Sequence, residues 1–180
     1  MARLNPLEVD QLTPEQKALF AKVSRGRSRV QGPFAVWIHN APIAEAADKM
    51  IEAVRQNGKL GKPLYELLVL TVARHASVHY AWAVHEPLAR AAGVDPAVID
   101  ALRERKKPSF AHADDGLIYA AATSLLQTAR LPEATYQALL ERFGLELTIE
   151  IVTVIGVYCM IGTVLNGFEI ATPGGEKTFA

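Results

Sequence analysis

The sequence predicts an all-α protein, and three observations carry that expectation. No stretch alternates apolar and polar residues with a period of two, as a half-buried strand would. Apolar residues recur instead at helical spacing. Prolines also stand where helices begin, at Pro14, Pro42, Pro63 and Pro96.

The elements follow in order. Thr13-Pro14-Glu15-Gln16 combines a capping Thr, a proline at the first helical position and a Gln that can close a capping box, so a helix is expected to about Ser24. Arg25-Gly26-Arg27-Ser28-Arg29 reads as an exposed basic loop and Gly32-Pro33 as a turn before the apolar run Phe34 to Ile38. Pro42 opens a second long helix ending near Asn57-Gly58. Lys62-Pro63 opens a third, with Leu64, Leu67, Leu68, Leu70, Thr71 and Val72 around it and Glu66 among them. The pattern breaks between His75 and Val78. A helix from His79 to Ala92 is closed by Gly93, and Asp95-Pro96 starts another that ends in the basic run Arg103 to Lys107. Asp114 to Ala129, Pro132 to Phe143 and Thr148 to Asn166 complete the set. The expected organisation is an N-terminal helical arm over residues 1–33, packed on one helical domain over 34–180.

Composition limits the function classes. Half of the 180 residues are hydrophobic, and 19 basic side chains balance 19 acidic ones. That balance leaves no electrostatic footprint for nucleic acid, so a small-molecule substrate is the better expectation. Ile151 to Phe168 is uncharged and just long enough to span a membrane. It carries Thr153, Tyr158 and Asn166 and lacks a basic flank, so a helix buried in the core or between subunits is expected, and no membrane. The N-terminus has no apolar signal core, from which a cytoplasmic location is expected. A single cysteine, Cys159, rules out a dithiol within one chain.

The chemistry is expected between Glu66 and His85. Val78, Ala81 and His85 share one helix face, and Glu66 lies on the preceding helix, folded back by a short connection. A carboxylate that fixes the tautomer of an imidazole suits general acid/base work. The same residues also fit a plain structural role, with His85 a core histidine and Glu66 paired to Arg74. No cofactor motif is present. His75 and His79 are four apart but straddle the break, and in His85-Glu86-Pro87-Leu88-Ala89 the second histidine of a zinc-protease motif is replaced by Ala89, so no metal set is expected.

Glu66 to Arg74, followed by Tyr80 to Val94, resembles the signature of the carboxymuconolactone decarboxylase family, whose fold is shared with the alkylhydroperoxidase D proteins. The later Val157-Tyr158-Cys159-Met160 through Asn166-Gly167-Phe168 resembles the closing helix of that family, and the resemblance covers about Pro33 to Pro173. It implies an alkylhydroperoxidase D-like helical bundle and a homo-oligomer, often trimer-based. Peroxidase members carry Cys-x-x-Cys with a following His and a Glu on the preceding helix. By spacing the Glu is Glu66 and the His is His85, but the cysteine positions fall on Val78 and Ala81, so dithiol peroxide reduction does not carry over.

Decarboxylase members also lack the dithiol and act on an unsaturated lactone acid. The resemblance then implies His85 as acid/base, Glu66 as its orienting partner, and His79 or Tyr80 as donor to the oxyanion. The alternative is a ligand-binding or peroxidase-like oligomer with no dithiol activity. Trp37 and His39, from the N-terminal extension, are candidates to line the pocket or simply to pack. Cys159 is expected to be buried and inert.

Overall fold

A computed structural model describes residues 3–4, 7–24 and 28–179. Eight α-helices and a single 3₁₀ turn at Val9–Gln11 make up the regular structure there, with no strand among the described residues. The helices are α1 (Pro14–Val23), α2 (Phe34–Trp37), α3 (Ala41–Arg55), α4 (Lys62–His75), α5 (His79–Ala92), α6 (Pro96–Arg103), α7 (Ala113–Thr128) and α8 (Glu133–Gly167).

Local chemistry sets most of the boundaries. The Thr13 side chain accepts the Gln16 amide while the Gln16 side chain accepts the Thr13 amide, so α1 begins on a closed capping box. Without a reciprocal bond, the Asn40 side chain accepts the Ile43 amide at the start of α3 and the Asp95 side chain accepts the Ala97 amide at the start of α6, each followed by proline in the first turn. Gly93 ends α5 at φ 90°, a left-handed conformation that glycine takes without a Cβ penalty. The expected basic loop at Arg25 to Arg29 falls partly outside the described residues; within them, Arg29 pairs with Glu8 at 2.9 Å.

Helix α4 is the axis of the fold. Every side chain from Tyr65 to Arg74 is buried, and α5, α6, α7 and α8 all pack on it. A helix enclosed on all sides must be apolar around its circumference, which explains the run Leu67-Leu68-Val69-Leu70. It also obliges its ionisable members, Glu66 and Arg74, to find partners. Truncating a fully buried member such as Leu68 to Ala is worth about 2–5 kcal/mol of stability. The N-terminal segment joins the same core through Leu12, Leu19, Phe20 and Val23.

One expectation changes. The helices expected over Pro132 to Phe143 and Thr148 to Asn166 are not separated by four residues: α8 breaks at Gly144 alone, with φ 73° and ψ 172°, and is helical again at Leu145. Only glycine occupies that region readily, and the Thr148 hydroxyl donates back to the Gly144 carbonyl at 2.7 Å. The apolar length of α8 is enough to cross a membrane by composition. Its second part instead sends Ile151, Val154, Ile155, Tyr158, Ile161 and Leu165 into the core. Within one chain it also leaves Leu145, Ile149, Val152 and Met160 exposed, and Met160 shares an apolar groove with Ile43 and Met50 of α3.

Candidate functional site

The α4–α5 connection builds the site. Ala76 ends α4, Ser77 turns the chain in a left-handed conformation at φ 51°, and the Val78 amide closes the turn on the Ala73 carbonyl at 2.7 Å. Three residues thus reverse the chain, and α5 returns along α4. Glu66, in the second turn of α4, meets His85, in the second turn of α5. The imidazole Nδ1 and the carboxylate Oε2 are 2.7 Å apart, and both side chains are buried.

The chain of hydrogen bonds continues into α8. The Tyr158 hydroxyl lies 3.2 Å from His85 Nε2 and 2.8 Å from the Tyr65 hydroxyl. An ionised Glu66 can only accept, so His85 carries its proton on Nδ1 and offers the Nε2 lone pair. Tyr158 therefore donates to Nε2, and Tyr65 donates to Tyr158. Burial pushes the Tyr158 phenol up to about 12, against the lowering effects of Tyr65 and the Arg55 charge, so it remains a neutral donor at ordinary pH. Burial, reinforced by Tyr158, raises Tyr65 further. Ring packing holds the set in place, with His85 and Tyr158 edge to face at 5.2 Å and Tyr65 and Tyr158 at 6.0 Å.

Two cavities flank this chain. His85 and Tyr158 face a cavity of about 250 Å³ whose wall also includes Tyr80, Ala81 and Arg55. Tyr65 and Glu66 face a second one of about 360 Å³, which Arg55 and Lys62 also line. The relay thus passes through the wall between them, and Arg55 stands at both. Its guanidinium has no ion-pair or hydrogen-bond partner among the described residues.

The two positions that correspond to a dithiol have separate settings. Ala81 lines the first cavity one turn before His85. Val78 is buried against α8, where a Cβ on Gly162 would lie 2.7 Å from its Cγ2, so glycine is what lets α8 approach. Cys159, half-buried, is not part of either cavity wall, and burial raises its thiol. A thiolate is disfavoured there.

Of the sequence-based candidates, Glu66, His85 and Tyr80 meet at or beside the first cavity. His79 does not belong to that wall. It is held by the C-terminal segment: the Thr178 amide donates to His79 Nδ1 at 3.2 Å, and the Phe179 ring stacks on the imidazole at 4.3 Å. Burial first, then the charges of Lys177 and Arg74, lower its pKa. His75 ends α4 and His79 begins α5, so the pair does not share a helix. Among the described residues no group of three or more His, Cys, Asp or Glu side chains is placed to hold a metal.

Trp37 packs edge to face on Phe34, and His39 is exposed near Gln16. The extension contributes Gln31, Gly32, Pro33 and Phe34 to the cavity instead. Tyr158, Tyr65 and Arg55 went unassigned in the sequence reading. Tyr158 is 73 residues from His85, and nothing local marks that pairing. Arg74 does not take Glu66 as partner; its Nε donates to the Arg103 carbonyl at 2.7 Å. Glu86, which the sequence marks only as part of the incomplete zinc-protease motif, is a hub: burial would raise its carboxyl, but hydrogen bonds from Arg103, Arg90 and Trp82 hold it low.

No family model matches the chain, and no curated protein matches it. Solved structures do. An uncharacterized peroxidase-related protein from Silicibacter sp. TM1040 aligns with a TM-score of 0.74 at 19% identity, over 94% of this chain and 90% of that one. An uncharacterized peroxidase-related protein from Ralstonia eutropha JMP134, described as an alkylhydroperoxidase AhpD core, aligns with a TM-score of 0.77 at 16% identity, over 98% of both chains. At such identities the likeness speaks for the backbone alone, and on that basis the chain has the alkylhydroperoxidase D-like all-α fold.

Proposed function

We propose that this protein is an acid/base enzyme of the carboxy-lyase type, acting on a small unsaturated lactone acid or related carboxylic acid. The observation that carries the reading is the buried chain Glu66–His85–Tyr158–Tyr65, which opens through His85 and Tyr158 on a cavity bordered by the Arg55 guanidinium, unpaired among the described residues. Arg55 supplies the charge that holds an anionic substrate. Bidentate carboxylate binding is what a guanidinium does best.

In the proposed reaction the bond from carbon to the departing carboxylate breaks, CO2 leaves, and the electron pair moves into the conjugated carbonyl. A proton from solvent first passes along Tyr65 and Tyr158 to His85 Nε2, which frees the neutral Tyr158 hydroxyl to donate to the oxygen where charge develops. His85, oriented by Glu66, then passes that Nε2 proton to carbon and returns to its resting tautomer, so one proton per turnover is drawn from solvent. The second cavity, reached by Glu66 and Tyr65, gives that proton a route separate from the substrate. His79, tied to Thr178 and Phe179, is not assigned the oxyanion role; Tyr80, at the cavity wall, is an additional donor.

Peroxide reduction fits the residues less well, because Val78 and Ala81 carry no thiol and Cys159 is half-buried with its thiol pushed up. The test is CO2 release from a panel of unsaturated lactone acids and hydroxy acids. Turnover of at least one is expected, with Arg55→Gln raising KM about tenfold or more while kcat changes less. Saturable binding of the same acids with no CO2 from any of them would make the protein a binder and defeat this reading.

A further inference from the structure

A third cavity lies away from the relay, between the C-terminal ends of α4 and α6 and one face of α7. Its volume is about 130 Å³, room for a small ion with its hydration. Arg74 and His75 line it from α4, Arg105 and Lys106 from the segment after α6, and Tyr119 and Gln127 from α7. No carboxylate is among its lining residues.

We propose that this cleft binds a small phosphate-type oxyanion, either free or as the terminal group of a larger molecule. Arg74 is more than nine-tenths buried, and its Nη1 has no hydrogen-bond partner among the described residues. Its other contacts are accounted for: Nε donates to the Arg103 carbonyl, and the Phe179 ring covers one face of the guanidinium at 4.3 Å. A buried guanidinium with an unmade hydrogen bond is uncommon in a native fold. Nη1 itself is shielded from the open cleft, so Arg74 adds to the positive potential there while Arg105 and Lys106 offer the exposed donors.

The rest of the cluster deepens the imbalance. Burial first, and the Arg105 charge second, disfavour the charged form of Arg74, so two cations are held together against their repulsion. Arg105 is positioned by its own backbone, left-handed at φ 57°, and by donation from Nη2 to Ser77 Oγ at 2.8 Å. Lys106 is paired with Glu104 at 2.6 Å, which neutralises one charge. The ends of α4 and α6 supply about half a negative charge each, so helix dipoles offset about one cation more. Arg74, Arg105 and, when protonated, His75 still outnumber them. Donors that approach from three separate elements suit a tetrahedral oxyanion better than a planar carboxylate.

The inference does not depend on the acid/base reading, and its test uses no substrate. The full chain is titrated with inorganic phosphate by calorimetry at constant ionic strength, set with sodium chloride, and separately with glucose 6-phosphate. Saturable one-to-one binding is expected, weakened at least tenfold in the exposed pair Arg105→Gln/Lys106→Gln and about threefold in His75→Gln. Circular dichroism and melting in phosphate-free buffer establish that both variants fold. Glucose 6-phosphate binding at least tenfold tighter than phosphate identifies the phosphoryl end of a larger molecule; equal or weaker binding identifies the free ion. No saturable binding of either, or binding unchanged in both variants, overturns the proposal.

Discussion

Replacing Tyr158 by Phe removes one oxygen from the centre of the relay and keeps the ring packing. The lost hydroxyl bonds Tyr65 at 2.8 Å and His85 Nε2 at 3.2 Å, so the variant loses two hydrogen bonds and strands a donor and an acceptor. Each net bond is worth about 0.5–1.5 kcal/mol and a stranded buried group about 1–3 kcal/mol. His85 and Tyr65 each border a cavity, where water can replace part of what is lost, so the low end applies. The expected destabilisation is about 1–2 kcal/mol, or about 2–8 °C in Tm for a chain of this size. Urea unfolding measures it as a lower midpoint at unchanged slope. The double variant Tyr65→Phe/Tyr158→Phe is expected to cost less than the sum of its singles, because Tyr65 then has no donor to strand. A Tyr158→Phe protein within 0.3 kcal/mol of the parent (about a fifth of the expected loss), or strictly additive singles, would refute the hydrogen-bond directions assigned to the chain.

Other outcomes follow from the same contacts. Gly162→Ala gains about 1 kcal/mol of helix propensity but sets a Cβ 2.7 Å from Val78 Cγ2, an overpacking worth about 1–3 kcal/mol, so net destabilisation of up to about 2 kcal/mol is expected in chemical unfolding. In a Val78→Ala background the same change is expected to stabilise, and a persistent loss there would count against the close α5–α8 approach. His79 has a lowered pKa in the fold, so the unfolded chain binds protons first and stability falls as pH drops below the ordinary imidazole value of about 6.5 towards the folded one. Protonation would put a hydrogen on Nδ1, facing the Thr178 amide. His79→Asn, which retains an acceptor without titrating, is expected to flatten the dependence of Tm on pH between 7.5 and 5.5, tested over a range chosen about the imidazole pKa. An equally steep profile in that variant would remove His79 as its source.

Much of the architecture was legible because it is written in local chemistry. Thr13 with Gln16, Asp95 with Pro96 and Gly93 at the end of α5 act through neighbours within four residues, and a sequence displays such signals directly. The Glu66–His85 pair was legible for a related reason: it spans a single short turn. What stayed hidden depends on distant elements. Tyr158 reaches His85 only because α8 packs on α4, and Arg55 looks like any cation in a last helical turn until two cavities are found beside it. His79 is expected from the family resemblance to donate to the oxyanion, but the C-terminal segment, 99 residues further on, competes for its ring. Between Phe143 and Thr148 the sequence pattern separates two helices, whereas a single glycine, Gly144, in a conformation closed to other residues makes the break.

The central claim is that acid/base chemistry resides in His85 and that no thiol is needed. It is tested most directly by measuring CO2 release from an accepted lactone acid in the parent protein, His85→Gln and Cys159→Ala, side by side. General acid/base catalysis contributes about 10²–10⁴-fold, so His85→Gln is expected to lose that much of kcat/KM while Cys159→Ala retains the parent rate. Unchanged turnover in His85→Gln, or its collapse in Cys159→Ala, would contradict the account.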